Sequence, residues 1–343
     1  MTETQTLKRK DYTSEIEPRW CVGCGDYAVL TGMTRALAEL GLKRENVVMV
    51  SGIGCSSRFP YYIESYGFHS VHGRAPAVAT GIKISRPELS VWVITGDGDG
   101  LSIGGNHMLH LLRRNPDINV ILFNNQIYGL TKGQTSPTSP RGQVTKSTPY
   151  GSIDAPIHPL PLAISCGATF AARVPDTDIA LMSEVFQAAH NHRGIAFVEV
   201  LQNCNIFNDG AWFHVTKKGN RAENTLLLEH GKPLIFGEER NKGLRWRDSK
   251  IEVVTLGADG VSESDLLTHD AHNPDSTLAY QLSQLEFPEM PYPLGIFRQV
   301  DAPVYESDVH IQEHQVEEKI GHGELYRLFH QGETWQESGH GSN

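Results

Sequence analysis

The chain has 343 residues, 39% hydrophobic and 20% charged, enough for one large core or two small ones. Its net charge of −10 and isoelectric point near 5.9 argue against nucleic acid and against an acidic membrane surface as partners. No apolar run reaches membrane-spanning length, and five cysteines, too few for a disulfide scaffold, fit a reducing cytoplasm with metal-bound or catalytic thiols.

Residues 1–19 are polar, lack signal-peptide character, and predict an arm along a surface. Trp20-Cys21-Val22-Gly23-Cys24-Gly25-Asp26 then opens a helix whose apolar face is Leu30, Met33, Leu37 and Leu40, with Gly41 ending it. Val47–Val50 reads as a buried strand running into a glycine-rich turn, Ser51 to Arg58. His72-Gly73-Arg74-Ala75-Pro76 starts the next helix, with Pro76 in its first turn.

Val91–Ile94 is a strand, Gly96-Asp97-Gly98-Asp99-Gly100 follows at once, and Gly105–Arg114 is a helix stopped by Asn115-Pro116. Ile118–Phe123 is a second strand, closed by Asn124-Asn125. This βαβ unit puts both polar clusters at the carboxyl ends of neighbouring parallel strands, where open α/β sheets bind ligands. Asp97 and Asn125 offer hard oxygens suited to Mg²⁺, and the glycines let backbone approach a diphosphate.

Residues 131–160 are rich in Thr, Ser, Pro and Gly, a loop long enough to suggest a functional role. Ala168–Val174 predicts a strand, Asp176 the cap of a helix to His190, and Ile195–Leu201 a buried strand ending in Gln202-Asn203-Cys204. Beyond residue 205 the pattern weakens. Thr225–Leu228 and Ile251–Leu256 predict a short helix and a strand, 272–303 an extended stretch, and 314–330 a helix.

Cys21 and Cys24 form one CxxC, while Cys55 and Cys204 each lie just past a strand end. Helix starts and strand ends face one edge of a doubly wound sheet, so these four thiols can converge beside Asp97 and Asn125. They suit an iron–sulfur cluster or zinc. One local pair joined by two widely spaced singles favours the cluster, with unrelated buried thiols as the remaining alternative. Cys166 reads as a small core residue.

Gly96-Asp97-Gly98 followed at a distance by Asn125 resembles the motif of thiamine diphosphate enzymes. Together with the cysteines, WCVGCGDY, SGIGCSSRFP, HGRAPAVATGIK, TGDGDGLSIGGNH, NNQIYGLTKGQTSPT and CNIFNDGAWFHVT resemble, in order, the β subunits of 2-oxoacid:ferredoxin oxidoreductases. The resemblance covers about residues 18–240, and the LTKGQ and NDGAWFH segments look most like the 2-oxoglutarate branch. It implies an α/β fold, a doubly wound, mostly parallel sheet of the thiamine diphosphate-binding type. The divisions it suggests are an arm (1–19), a thiamine and iron–sulfur domain (20–240), and an irregular C-terminal extension (241–343) packed on the core or a partner subunit.

The resemblance further implies one [4Fe–4S] cluster on Cys21, Cys24, Cys55 and Cys204. It implies Mg²⁺ on the Asp97 and Asn125 side chains and the Ile127 carbonyl. Thiamine diphosphate would be held by Ile53, Gly54, Cys55 and Ser56, by His72, and by Gly96, Asp97, Gly98, Asp99, Asn125, Ile127, Gly129, Leu130 and Thr131, with Leu130 beside the thiazolium. The activity implied is oxidative decarboxylation of a 2-oxoacid to an acyl-coenzyme A, or the reverse, with electrons passing through the cluster to ferredoxin. An α-type partner would supply the glutamate that thiamine chemistry needs, in an assembly of two α/β pairs. Arg58 and Lys132 are the bases nearest the expected pocket, candidates for substrate carboxylates. Two other readings are a non-redox thiamine decarboxylase or synthase, which needs no cysteine cluster, and a non-catalytic electron-transfer subunit.

Overall fold

The structure, a computed structural model, describes residues 7–335. Its frame is an eight-stranded sheet. In chain order the first seven of its strands are β1 (Val47–Ser51), β2 (Tyr66–His69), β3 (Ser90–Gly96), β4 (Ile118–Asn124), β5 (Phe170–Pro175), β6 (Ala196–Leu201) and β7 (Thr225–Leu228). A small antiparallel sheet of β8 (Ile235–Phe236), β9 (Lys242–Arg247) and β10 (Lys250–Thr255) precedes the last, β11 (Tyr292–Gln299). The order across the main sheet is β2-β1-β3-β4-β6-β5-β11-β7, and every neighbouring pair is parallel except β5 with β11.

The central strands read as unbroken apolar runs because both faces of the sheet are covered. Successive residues feed two cores in alternation. Val48, Val50, Val91, Val93, Val120 and Leu122 enter one, while Val47, Met49, Trp92, Ile94, Ile121 and Phe123 enter the other. Helices α1 (Asp26–Leu40) and α5 (Ile179–Asn191) cover the second face with Met33, Leu37, Met182 and Phe186. The first face is covered by α2 (Ala75–Ser85), α3 (Gly105–Arg114) and α4 (Pro159–Ser165). No helix among the described residues is long and apolar enough to cross a membrane.

Several sequence expectations shift. The first six residues of the predicted arm lie outside the described residues; further along, Tyr12 is fully buried, so that part of the arm is anchored. The cap of α5 is Asp178, whose Oδ1 accepts from the Leu181 amide at 3.0 Å, and not Asp176. Asp176 is buried and accepts instead from the Asn203 amide at 2.7 Å. Thr225–Leu228 is a strand and not a helix. The boundary drawn at 240 is crossed by the main sheet, since β11 inserts between β5 and β7. The stretch 272–303 holds that strand and a short helix, Thr277–Ser283, and in place of one helix over 314–330 there are two, Tyr305–Ile320 and Leu325–Phe329.

Candidate active site

The carboxyl ends of β1, β3, β4 and β6 carry every residue singled out for metal or cofactor binding except Cys21, Cys24 and His72, which precede α1 and α2. Asp99 knits this edge together. Its Oδ1 accepts from the Ile53 amide at 3.0 Å, the Gly73 amide at 2.7 Å and His72 Nδ1 at 2.6 Å, and its Oδ2 accepts from the Thr95 hydroxyl at 2.6 Å. One carboxylate thus joins the turn after β1, the start of α2 and the end of β3. Asp99 opens a wide π-type turn, Asp99–Ile103, between β3 and α3, a departure from α-geometry often found at functional sites.

Asp97 differs. It is buried, and its Oδ2 accepts from the Ser136 hydroxyl at 2.6 Å and from Thr138 Oγ1 at 2.5 Å. Burial pushes its carboxyl up to about 6, with the two hydroxyls and the Gly98 amide opposing the shift. A carboxylate so placed is oriented but not neutralised, which suits a cation ligand. The Asn125 side-chain oxygen accepts from the Ile127 amide at 3.1 Å, fixing the turn that follows β4, and Gln126 takes the left-handed conformation there (φ 57°). Gly98 leaves room for the Tyr128 ring: a Cβ at Gly98 would stand 2.2 Å from it. The Tyr128 hydroxyl donates to the Gly98 carbonyl at 3.0 Å. These residues fit a diphosphate and its Mg²⁺.

The structure gathers the four cysteines from three segments. Trp20 Nε1 donates to the Cys55 carbonyl at 2.7 Å, the Gly25 amide to the Asn203 carbonyl at 3.1 Å, and Asn205 Nδ2 to the Val22 carbonyl at 2.6 Å. The Cys24 thiol is pushed up by burial and then by Asp26, and it also feels Cys204 and Cys55. Burial raises Cys55 to about 12, assisted by Asp26 and Cys204 and opposed by Arg58. A bound cation would oppose both shifts and favour the thiolates. A Cβ on Gly129 would lie 3.4 Å from Cys204 Sγ and 3.8 Å from Cys55 Sγ. The turn after β4 thus lies against the sulfurs. Cys166 sits apart, packed against the other core.

Arg58 donates from Nη1 to the Arg19 carbonyl at 2.8 Å, beside the cysteines. Leu130 and Lys132 are exposed, and Lys132 has a left-handed backbone (φ 75°). Sequence reasoning missed Ser136 and Thr138. The composition of the 131–160 loop was the available signal. It also missed Trp212 and Asn208, whose side chains donate to the carbonyls of Asn124 and Asn125, each at 2.8 Å.

A doubly wound sheet with an acid–amide pair and a set of cysteines at its carboxyl edge defines a thiamine-type redox subunit. Comparison with known proteins agrees. Residues 52–200 match the family model for the C-terminal, TPP-binding domain of thiamine pyrophosphate enzymes. The 2-oxoglutarate oxidoreductase subunit KorB of Mycobacterium tuberculosis is 48% identical over 337 residues, 97% of this chain and 90% of that protein. The 2-oxoglutarate synthase subunit KorB of Archaeoglobus fulgidus is 44% identical over 192 residues, 56% of this chain and 72% of that one. The solved 2-oxoglutarate:ferredoxin oxidoreductase of Magnetococcus marinus, with 2-oxoglutarate, coenzyme A and succinyl-CoA bound, superposes with a TM-score of 0.74 at 32% identity, covering 97% of this chain and 98% of that one. The chain belongs to the β subunits of the 2-oxoacid:ferredoxin oxidoreductases. Neither the non-redox nor the non-catalytic reading is favoured by these relatives.

Proposed function

We propose that this chain is the thiamine diphosphate-bearing subunit of a cytoplasmic 2-oxoglutarate:ferredoxin oxidoreductase. The reaction forms the coenzyme A thioester from 2-oxoglutarate with loss of CO₂, or runs in reverse, with ferredoxin as electron partner. The observation that carries this reading is the meeting of four cysteines with the Asp97–Asn125 pair at one sheet edge, Gly129 lying against two of the sulfurs. Bound there, thiamine diphosphate would supply the electron sink for cleavage next to the ketone, and a [4Fe–4S] cluster would accept electrons one at a time.

The chain's own residues supply placement. Asp97, the Asn125 side chain and the Ile127 carbonyl would hold Mg²⁺. Ile53, Gly54, Ser56, His72, Gly96 and Gly98 would frame the cofactor, with Gly129, Leu130 and Thr131 beside its thiazolium. Asp99 acts behind them, fixing His72 and the Ile53 amide. Cys21, Cys24, Cys55 and Cys204 would hold the cluster. Arg58 and Lys132 would meet the substrate carboxylates. Val22, Ile103, Leu130 and Ile206 are exposed. These apolar side chains come from loops of the cofactor edge and suit coverage by an α-type partner bearing the catalytic glutamate, in an assembly of two such pairs.

The test is the metal content of anaerobically purified complex. About four iron per β subunit is expected, lost in Cys204→Ala and kept in Cys166→Ala. Stoichiometric zinc in active protein would overturn the cluster assignment.

A further inference from the structure

Gln202 follows β6 and stands two residues before Cys204. It is almost wholly buried. Its side-chain Nε2 donates to the Asn203 carbonyl at 2.7 Å and to Cys24 Sγ at 3.3 Å. Its main-chain amide donates to the Asn124 carbonyl at 3.0 Å, the carbonyl that also takes the Trp212 indole. The orientation of the side-chain amide is fixed, because the Asn203 carbonyl can only accept. With the nitrogen turned toward that carbonyl, an N–H also faces the sulfur.

This arrangement is not the best one for packing alone. Gln202 Oε1 is buried with no hydrogen-bond partner among the described residues, and an unsatisfied buried oxygen is destabilising. The Asn203 carbonyl has a second donor in the Gly25 amide at 3.1 Å, so it does not depend on the Gln202 side chain. An apolar side chain of the same length would leave no oxygen stranded. What the amide adds is a donor to Cys24. Burial, and after it the Asp26 carboxylate, disfavours negative charge on that sulfur, whereas the Gln202 N–H favours it.

Hydrogen bonds to cysteine sulfurs are one of a protein's levers on the potential of an iron–sulfur cluster. Reduction adds one negative charge, shared with the ligand sulfurs, and a donor stabilises that state more than the oxidised one. We infer that Gln202 is a positioning residue that raises the reduction potential of the cluster by donating to Cys24. The inference rests on the reading of Cys21, Cys24, Cys55 and Cys204 as cluster ligands. One electron arrives in each reduction, from the 2-oxoacid in the proposed reaction, and no bond is made or broken. The donor is held by the Asn124 and Asn203 carbonyls, so it needs no rearrangement when the electron arrives.

The test is a mediated redox titration of the anaerobic complete complex, followed by electron paramagnetic resonance of the reduced cluster. Gln202→Met keeps the length of the side chain and removes the donor. Its midpoint should fall, shifting the ratio of oxidised to reduced cluster at a fixed potential by about three- to tenfold, or about 28 to 59 mV for one electron. Gln202→Leu, shorter and also without a donor, should shift it the same way. A purely structural role would lower the amount of cluster and leave the midpoint of the loaded fraction unmoved. An unchanged midpoint in a variant that carries the signal overturns this inference and leaves the cluster in place. Loss of the cluster in both variants overturns it as well, since Gln202 is then a residue of assembly. A wild-type complex with no iron–sulfur signal overturns the cluster reading itself, and this inference with it.

Discussion

Asp97 and Asp99 are separated by one glycine and face opposite tasks. Every hydrogen bond to the Asp99 carboxylate comes from a neighbouring loop or strand of its own chain. Replacing it with Ala strands the Ile53 and Gly73 amides, at about 1–3 kcal/mol for each buried donor left without an acceptor. Asp99→Ala should therefore lower the Tm of cofactor-free protein clearly in a calorimetric scan. Asp97→Ala should barely move that Tm, because Ser136 and Thr138, 3.2 Å apart, can bond each other once the carboxylate is gone. It should instead weaken binding of Mg²⁺ and thiamine diphosphate by about a hundredfold, the order of two charge-assisted contacts. Normal cofactor affinity in Asp97→Ala would mean that the cation binds elsewhere. The sequence exposed both aspartates as candidates, since both sit in one glycine-rich turn. It singled out Asp97 for Mg²⁺ but could not show that Asp99 ties the edge together, because the groups that distinguish the two, Ser136 and Thr138 on one side and Ile53, His72 and Gly73 on the other, are far away along the chain.

At the scale of elements, the strands and helices that build the site were readable. A sheet covered on both faces writes continuous apolar runs into β1, β3, β4 and β6. What escaped was β11. It contains Pro293, which argues against a central strand, and Gly295, whose φ of 106° marks an irregular strand. Its register slips between Ile296 and Arg298. A Cβ at Gly295 would stand 2.9 Å from the Leu228 carbonyl, so the strand needs glycine there to lie against β7. The turn after β4 gives a sharper test. At Gly129 a single Cβ makes ordinary contact with Cys204 Sγ, but a branched side chain reaches further toward the sulfurs. Gly129→Ala should keep near-normal iron content, whereas Gly129→Val should lose about half or more of it, if overpacking there costs the usual ~1–3 kcal/mol. Iron retained in full in the valine variant would place the cluster away from this turn.

At the scale of the whole molecule, the chain is a folded unit whose cofactor edge is open on one side. Leu130 and Lys132, the residues expected nearest the chemistry, are exposed at that edge. A site that must exclude water cannot be finished by this chain alone. The isolated subunit should show no turnover of 2-oxoglutarate with ferredoxin or a viologen dye, and addition of an α-type subunit should restore it. Turnover by the isolated chain would refute the shared site. The sequence resemblance implies the same sharing, with the glutamate coming from an α-type partner, and the exposed apolar side chains at this edge suit that expectation.

The turn from Ile53 to Ser56 falls in two of the proposed sites at once. Ile53 is tied to the Asp99 network, and Cys55 in the middle of the turn is among the gathered thiols. Four residues cannot move for one purpose and stay still for the other. Oxygen that dismantles an iron–sulfur group should therefore unseat the organic cofactor in the same molecule. In a sample exposed to air by degrees, iron and thiamine diphosphate should leave in step, so that a half-poisoned population is a mixture of intact and empty subunits. Cofactor retained at full occupancy in iron-depleted protein would show that the turn keeps its shape without its metal. If the two leave together, a subunit that has lost the means to pass electrons on would also lose the means to start the reaction, and would release no half-oxidised product.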